Sequence, residues 1–270
     1  MQWLNRLQSG WRGLAKGALV VISLTLLALW LGLTPPGVLG KADAIGYSVC
    51  HRIEARSFFI AERPTPLCAR CSGMYLGMLA GFIYQLRLGR RAALPPLRVS
   101  IPLSVFLITF GVDGLNSYLQ FFPNTPRLYD PSNLLRLATG SGLGVLVAVM
   151  FLPIFHQYMW SNADPRPALA DYRQALALLG ITAVAAALMY LEMPLLIVLL
   201  ALLSAAGVWL VLTLCYTLLW VTVFRRECRY AGWKAAWLPL LAGFTTALVQ
   251  IGALNYLRYT ITGTWAGFSL

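Results

Sequence analysis

The sequence has few charged residues and very few acidic ones. Charged side chains make up 11% of its 270 residues, and only nine residues are Asp or Glu. Soluble domains carry roughly 25% charged residues, so this composition excludes an ordinary soluble domain. The formal net charge of +12 comes from basic residues scattered between apolar segments. The sequence lacks a run of Lys and Arg interleaved with aromatic residues, and a nucleic-acid partner is therefore not expected.

The chain is rich in long runs of apolar residues. Hydrophobic residues make up 59% of the chain, and several Leu/Ala/Val-rich runs reach the roughly 20 residues that cross a bilayer as a helix. Because the runs are continuous and do not alternate, strands are not expected to span the membrane. Glycines four residues apart in the second and fourth runs predict close helix packing. The sequence predicts an all-α, polytopic membrane helical bundle of about seven transmembrane helices, at residues 17–34, 72–88, 100–121, 134–158, 173–191, 194–223 and 235–257.

The basic residues predict how the bundle is oriented. With a cytoplasmic N-terminus, thirteen of the 21 Lys and Arg residues fall on the inner side, as the positive-inside rule requires. A multi-pass plasma-membrane protein is expected, with residues 50–71 on the extracytoplasmic side. We interpret the first apolar run as an uncleaved anchor helix, and the alternative is a signal peptide cleaved near residues 42–44. The chain is expected to divide into an N-terminal membrane half, 1–160, and a C-terminal half of about three helices, 161–270.

One segment, CHRIEARSFFIAERPTPLCARC, concentrates the chemistry of the chain. It holds Cys50, His51, Cys68 and Cys71, which are three thiols and an imidazole. This ligand set suits a tetrahedral zinc ion. All four are candidate zinc ligands, and because adjacent residues seldom bind the same ion, the alternative is that only one of Cys50 and His51 is a ligand. The alternatives are a disulfide without metal, which like structural zinc would tie the loop to the second span, and redox-active thiols at a helix N-terminus.

A second group of polar residues is predicted at the same outer face. Asp113 and Asn116 are three residues apart in the third predicted span and so share a helix face. A carboxylate within a span needs a partner or a water-filled cavity. Arg136 is within reach of Asp113. The alternatives are a structural ion pair, an Asp113 that acts as a proton or substrate group in an outward-facing cavity, and two unrelated residues. The cationic character favours an anionic lipid or small anion, and the candidate cavity residues are Arg52, Arg56, Arg70, Asp113, Asn116, Asn133 and Arg136.

These residues resemble a known family signature. The blocks Cys50-His51-Arg52, Arg56-Ser57-Phe58 and PLCARCSGMYLG, followed by Asp113-Gly114 and NLLRLATG, are similar to the membrane family called domain of unknown function 2085. The similarity covers about residues 45–145, with Ser72 where threonine is expected and Glu62 where glycine is expected. The resemblance implies a multi-pass membrane protein with these residues as its common core. It implies no biochemical activity.

Three functional hypotheses follow from these residues. The first is a transporter-like or lipid-handling protein, in which the Cys/His motif holds the loop in shape and the arginines bind an anion. The second is a membrane thiol oxidoreductase or metalloenzyme that uses Cys68 and Cys71. The third is a non-catalytic assembly or scaffold subunit. The sequence does not decide whether the protein is an enzyme.

Overall fold

The computed structural model describes residues 2–122, 125–126 and 128–268, and the side chains from residue 13 onward except that of residue 120. Over these residues the chain is mainly helical, because its long apolar runs satisfy their backbone hydrogen bonds within each helix. The eight α-helices of this described part are α1 (Gln2–Leu33), α2 (Gly37–Val49), α3 (Ala69–Leu86), α4 (Leu97–Tyr118), α5 (Asn133–Met159), α6 (Tyr172–Tyr190), α7 (Pro194–Val223) and α8 (Trp237–Thr262).

Short non-helical elements connect these helices. Between α2 and α3, a 3₁₀ helix (Glu54–Arg56) is followed by an antiparallel hairpin of β1 (Phe59–Ile60) and β2 (Arg63–Pro64). A second 3₁₀ helix, Leu119–Phe121, follows α4. The strands β3 (Arg91–Ala93) and β4 (Asp164–Pro167) pair in parallel between two loops. None of these strands is long enough to cross a bilayer.

The prediction of a helical membrane bundle is confirmed. Six helices in the described part of the chain are long and apolar enough to cross a membrane: Gly13–Leu33 within α1, and the whole of α4, α5, α6, α7 and α8. The second predicted span corresponds to α3, which has 18 residues and includes Arg70 and Gln85. Its polar residues keep α3 outside this group of six, so its crossing of the membrane stays a prediction.

Helix α3 lies against α5 at very short distance. A Cβ atom at Gly73 or Gly77 would collide with the carbonyl oxygen of Leu137 or Ser141 in α5. Conversely, a Cβ atom at Gly140 or Gly144 would collide with backbone carbonyls of α3. Glycines on both helices therefore allow the two backbones to approach closely, as small residues do between membrane helices.

The loops gather at two ends of the bundle. At one end, which we call the cysteine end, Asn133 contacts Ser57 and Arg258 contacts Cys50. The opposite end holds the loops 87–96, 160–171 and 224–236, joined by bonds such as Arg90 to Asn162. The basic residues predicted to face the cytoplasm from residue 87 onward lie at this opposite end. Which side of the membrane each end faces stays a prediction.

Both halves of the sequence contribute to one core beside the cysteines. Trp30 of α1 packs edge-on against Trp209 of α7, with ring centroids 5.2 Å apart. The same cluster of buried residues includes Cys50, Cys68 and Ile251 of α8. This core includes residues from both sides of the predicted boundary at residue 160. The division into two membrane halves stays a prediction.

Candidate functional site

Three thiols meet at the cysteine end. Cys50 directly follows α2, Cys68 precedes the first residue of α3, and Cys71 lies in the first turn of that helix. Their three sulfur atoms all lie within 4.8 Å of one another. Cys50 and Cys68 are buried and Cys71 is partly buried, and all three are free thiols without a disulfide. We call these residues the three-thiol cluster.

Local sequence explains how Cys50 reaches the other two. Gly46 lies in the last turn of α2, and a Cβ atom there would collide with the carbonyl oxygen of Pro66. Glycine therefore lets the chain that enters α3 lie directly on α2. The hairpin between them is closed by a bond from the Thr65 N–H to the Phe58 carbonyl (2.8 Å). As a result the Cys68 N–H donates to the Cys50 sulfur at 3.3 Å.

The thiols share protons unequally. Hydrogen bonds from the Cys68 and Cys71 thiols hold the pKa of Cys50 well below its usual range. The bond to Cys50, together with burial, raises the pKa of Cys68 to about 12. Cys50 is thus the first of these two to ionise, stabilised by neighbouring S–H groups. Three sulfurs, one of which ionises more readily than a free thiol, are the donors that a soft or borderline metal ion prefers.

The His51 ring does not belong to the three-thiol cluster. Its Nδ1 accepts a hydrogen bond from the Ile53 N–H at 3.2 Å. Burial lowers the pKa of His51, which favours the neutral ring. A neutral imidazole that accepts at Nδ1 carries its proton on Nε2, so neither nitrogen is free for a metal in this arrangement. Of the adjacent pair, the structure brings only Cys50 to the other thiols.

Arg52 turns away from the other predicted cavity arginines. Its guanidinium forms an ion pair with Asp43 of α2 at 3.0 Å and donates to the Trp265 carbonyl at 3.0 Å. Arg63 of the hairpin pairs with the same carboxylate. Arg52 has a φ of 52°, a conformation that a non-glycine residue adopts only where surrounding contacts fix it. Arg52 therefore joins α2 to the C-terminal segment.

Asp113 forms a buried ion pair with Arg70, a partner that the sequence analysis did not name. The Arg70 Nε donates to the Asp113 carboxylate at 3.1 Å, and its Nη2 contacts the same carboxylate oxygen. The Ser117 hydroxyl accepts from Arg70 at 2.9 Å, and the Tyr129 hydroxyl donates to Asp113 at 3.0 Å. Asp113 is only 1% exposed. The carboxylate thus has its charge partner on α3, between the two cysteines of the C-x-x-C pair.

Arg56 and Arg136 complete a group that we call the arginine cluster, Arg56, Arg70 and Arg136. Arg56 donates to the Ser117 carbonyl at 3.0 Å. The hydroxyl of the same serine accepts from Arg70. Burial lowers the pKa of Arg56, and the nearby charge of Arg70 adds to this effect. Arg136 donates to the side chain of Asn133 at 2.9 Å.

The two predicted asparagines fix the backbone around this cluster. Asn133 donates to the Ser57 carbonyl at 3.3 Å, which ties the start of α5 to the loop after Arg56. Asn116 bonds the backbone of Leu128 and Tyr129, each at 2.9 Å. Asn116 therefore positions Tyr129, whose hydroxyl reaches Asp113, and does not itself join the arginine cluster.

Sequence reasoning missed Arg258, which holds the Cys50 segment from the other half of the chain. Its guanidinium donates to the carbonyls of Tyr47 (2.7 Å) and Cys50 (2.6 Å) and lies over the Tyr47 ring at 4.0 Å. These bonds satisfy carbonyls at the end of α2 that lack helical partners. The signal in the sequence was a single charge near the end of the otherwise uncharged helix α8.

The fold and the site together define a class, a helical membrane protein with a three-thiol cluster and buried arginines at one end of its bundle. A family model described as "Predicted membrane protein (DUF2085)" matches residues 50–150, which contain the cysteines, Asp113 and Arg136. The chain belongs to this family, as its sequence motifs suggested.

Two relatives of this chain are themselves uncharacterised. A protein of Methanocaldococcus jannaschii is 32% identical over 116 residues, which cover 42% of this chain and 68% of that relative. A protein of Methanothermobacter thermautotrophicus is 29% identical over 113 residues, 40% of this chain and 88% of that relative. No solved structure matches the chain significantly. The family therefore supports the membrane class and leaves the activity to be argued from the site.

Proposed function

We propose that Cys50, Cys68 and Cys71 supply three ligands of one zinc ion in a structural centre. The observation that carries this proposal is the approach of their sulfurs to within 4.8 Å of one another. Thiolates around tetrahedral zinc, with Zn–S bonds of about 2.3 Å, lie about 3.8 Å apart, whereas a disulfide needs a distance of about 2 Å. The N–H of Cys68, which points at the Cys50 sulfur, also suits a metal-bound thiolate.

The proposed role of this centre is to fix the loop that carries the arginines. The three ligands join the end of α2 to the start of α3 across a loop of 17 residues, 51–67. Arg70 lies between two of the ligands, so its direction towards Asp113 depends on how that turn of α3 is held. The role of zinc in this proposal is structural: it would hold the three thiolates together and would not take part in a reaction.

We further propose that the arginine cluster binds an anionic group, the phosphate or carboxylate of a lipid or small solute. This proposal is supported by the convergence of Arg56 and Arg70 on Ser117 and by the position of Arg136 beside Asn133. Guanidinium groups bind such oxyanions with paired hydrogen bonds. The protein would then be a transporter-like or lipid-handling membrane protein, with the metal centre as its scaffold.

The metal proposal is tested by the metal content of protein purified from membranes without added metal. We expect about one zinc per chain by mass spectrometry of the metals, because structural zinc sites bind tightly. His51→Gln should keep this content, since the His51 ring stands outside the three-thiol cluster. A metal-free protein whose Cys68 and Cys71 titrate as a redox pair would contradict the proposal and favour a thiol oxidoreductase.

The anion proposal is tested by titrating inorganic phosphate into the detergent-solubilised protein. Arg136→Gln should weaken phosphate binding about tenfold or more, because a hydrogen bond from a charged group contributes about 1.5–3 kcal/mol. Arg63→Gln, at the same end but in the hairpin, is the matched control and should bind like the wild type. Both variants should elute as monodisperse protein with unchanged zinc. Equal phosphate affinity in all three proteins would refute an anion site at the arginine cluster.

A further inference from the structure

A cavity lies at the opposite end of the bundle from the three-thiol cluster. It has a volume of about 670 Å³ and lies between α1, α7, α8 and the loop 224–236. This volume falls in the range of roughly 300–1,000 Å³ typical of small-molecule sites. The cavity is partly enclosed and opens to one side. It shares no residue with the three-thiol cluster or the arginine cluster.

Among the side chains that the structure describes, the walls of this cavity carry two cations and no acidic residue. Lys16 comes from α1, and Arg226 from the loop after α7. In the part of the chain that the structure describes, neither side chain forms an ion pair, and the ion pairs that do occur there involve other cations. Both residues are exposed. Their charge is therefore available to an anion that enters from outside.

The remaining walls are apolar and aromatic. Trp220 stacks on Phe224 at the end of α7, with ring centroids 5.5 Å apart. Trp237 stands at the start of α8 and is 45% exposed. Tryptophan is enriched at the level of lipid headgroups. Leu19 of α1 and Ala242 of α8 extend the wall towards the middle of the bundle.

We infer that this cavity binds an anionic phospholipid, with its phosphate between Lys16 and Arg226 and its acyl chains along the apolar wall. The two cations match a headgroup that carries a net negative charge, as basic pockets between membrane helices do. The apolar wall lies between membrane-spanning helices, where acyl chains could pack against it. A free phosphate ion has no apolar part to fill this space, so we infer a lipid and not a soluble anion. This site is independent of the metal and anion proposals at the cysteine end.

The test measures binding of phosphatidylglycerol and phosphatidylcholine to the full-length protein in detergent by native mass spectrometry. We expect the wild type to prefer phosphatidylglycerol. Lys16→Gln and Arg226→Gln should each weaken its binding about fivefold, and both together about 25-fold, with phosphatidylcholine unaffected. Arg225→Gln is the matched control, because Arg225 is the neighbouring exposed arginine and does not line the cavity.

Three results would overturn the inference. The first is equal binding of the two lipids by the wild type, and the second is wild-type phosphatidylglycerol binding by the double variant. The third is an equal loss of inorganic phosphate binding in the double variant, which would indicate a soluble anion. Because Lys16 and Arg226 are exposed and lie at the other end of the bundle, the double variant should keep its fold and its zinc. A failure here therefore leaves the cysteine-end proposals standing, and their failure leaves this one standing.

Discussion

Cys68→Ser should remove the bound zinc and strongly destabilise the cysteine end. Serine keeps the size of the side chain but takes away a thiolate, and the two remaining sulfurs cannot hold the ion alone. Structural zinc contributes about 10–16 kcal/mol of binding free energy in small zinc-finger peptides, and that free energy is coupled to folding. We expect zinc to fall below about one tenth of an equivalent and the free energy of unfolding to fall by several kcal/mol.

The matched controls are the two cysteines outside the three-thiol cluster. Cys215 in α7 and Cys228 in the loop after it are free and exposed. Serine at either position should leave both the zinc content and the thermal unfolding temperature in detergent unchanged. If Cys68→Ser kept its full zinc content, or lost zinc without any change in unfolding temperature, a structural metal centre on these thiols would be disproved.

Asp113→Asn should destabilise the protein by about 3–5 kcal/mol, because it removes one partner of a buried ion pair. Asparagine has nearly the same shape and still accepts from the Tyr129 hydroxyl. Arg70, whose side chain is only 16% exposed, would be left with its charge uncompensated. The cost thus comes from the buried guanidinium and not from lost packing.

Two comparisons separate charge from shape in this experiment. Asp164→Asn breaks the exposed pair between Asp164 and Arg166 and should leave the unfolding temperature unchanged, because exposed pairs contribute little. The double variant Arg70→Met with Asp113→Leu should be more stable than Asp113→Asn alone, since it removes both charges. An Asp113→Asn protein that unfolds at the wild-type temperature would show that this pair does not stabilise the bundle.

Some of the site could be predicted because it depends on chain-local chemistry. The C-x-x-C pair lies on one helix turn, which brings Cys68 and Cys71 together in any fold that begins a helix there. Cys50 was predicted as a further ligand from its thiol alone, and the hairpin that returns the chain between Cys50 and Cys68 was not predicted. His51 was also predicted as a ligand, and side-chain direction after the end of α2, which the sequence does not specify, sets its ring against the Ile53 N–H.

Contacts between distant segments were predicted less well. The sequence analysis considered Arg136, on the next predicted span, as a partner of Asp113 and did not consider Arg70, which forms an ion pair with it. This contact joins residues 43 positions apart on two different helices, and helix periodicity does not specify such a pairing. Arg258 contacts Cys50, which is 208 residues away in the sequence. No local sequence pattern predicts such a contact.

The sequence alone determined that this protein is a membrane helical bundle, since a continuous apolar run can satisfy its backbone in lipid only as a helix. It also determined which residues carry unusual chemistry, because thiols and buried charges are conspicuous in an apolar chain. Only the tertiary structure decided which of these residues meet, and that the cations Lys16 and Arg226 line one cavity. Helix periodicity fixes neighbours within a helix, whereas the register between helices follows from packing of small residues and side-chain reach in three dimensions.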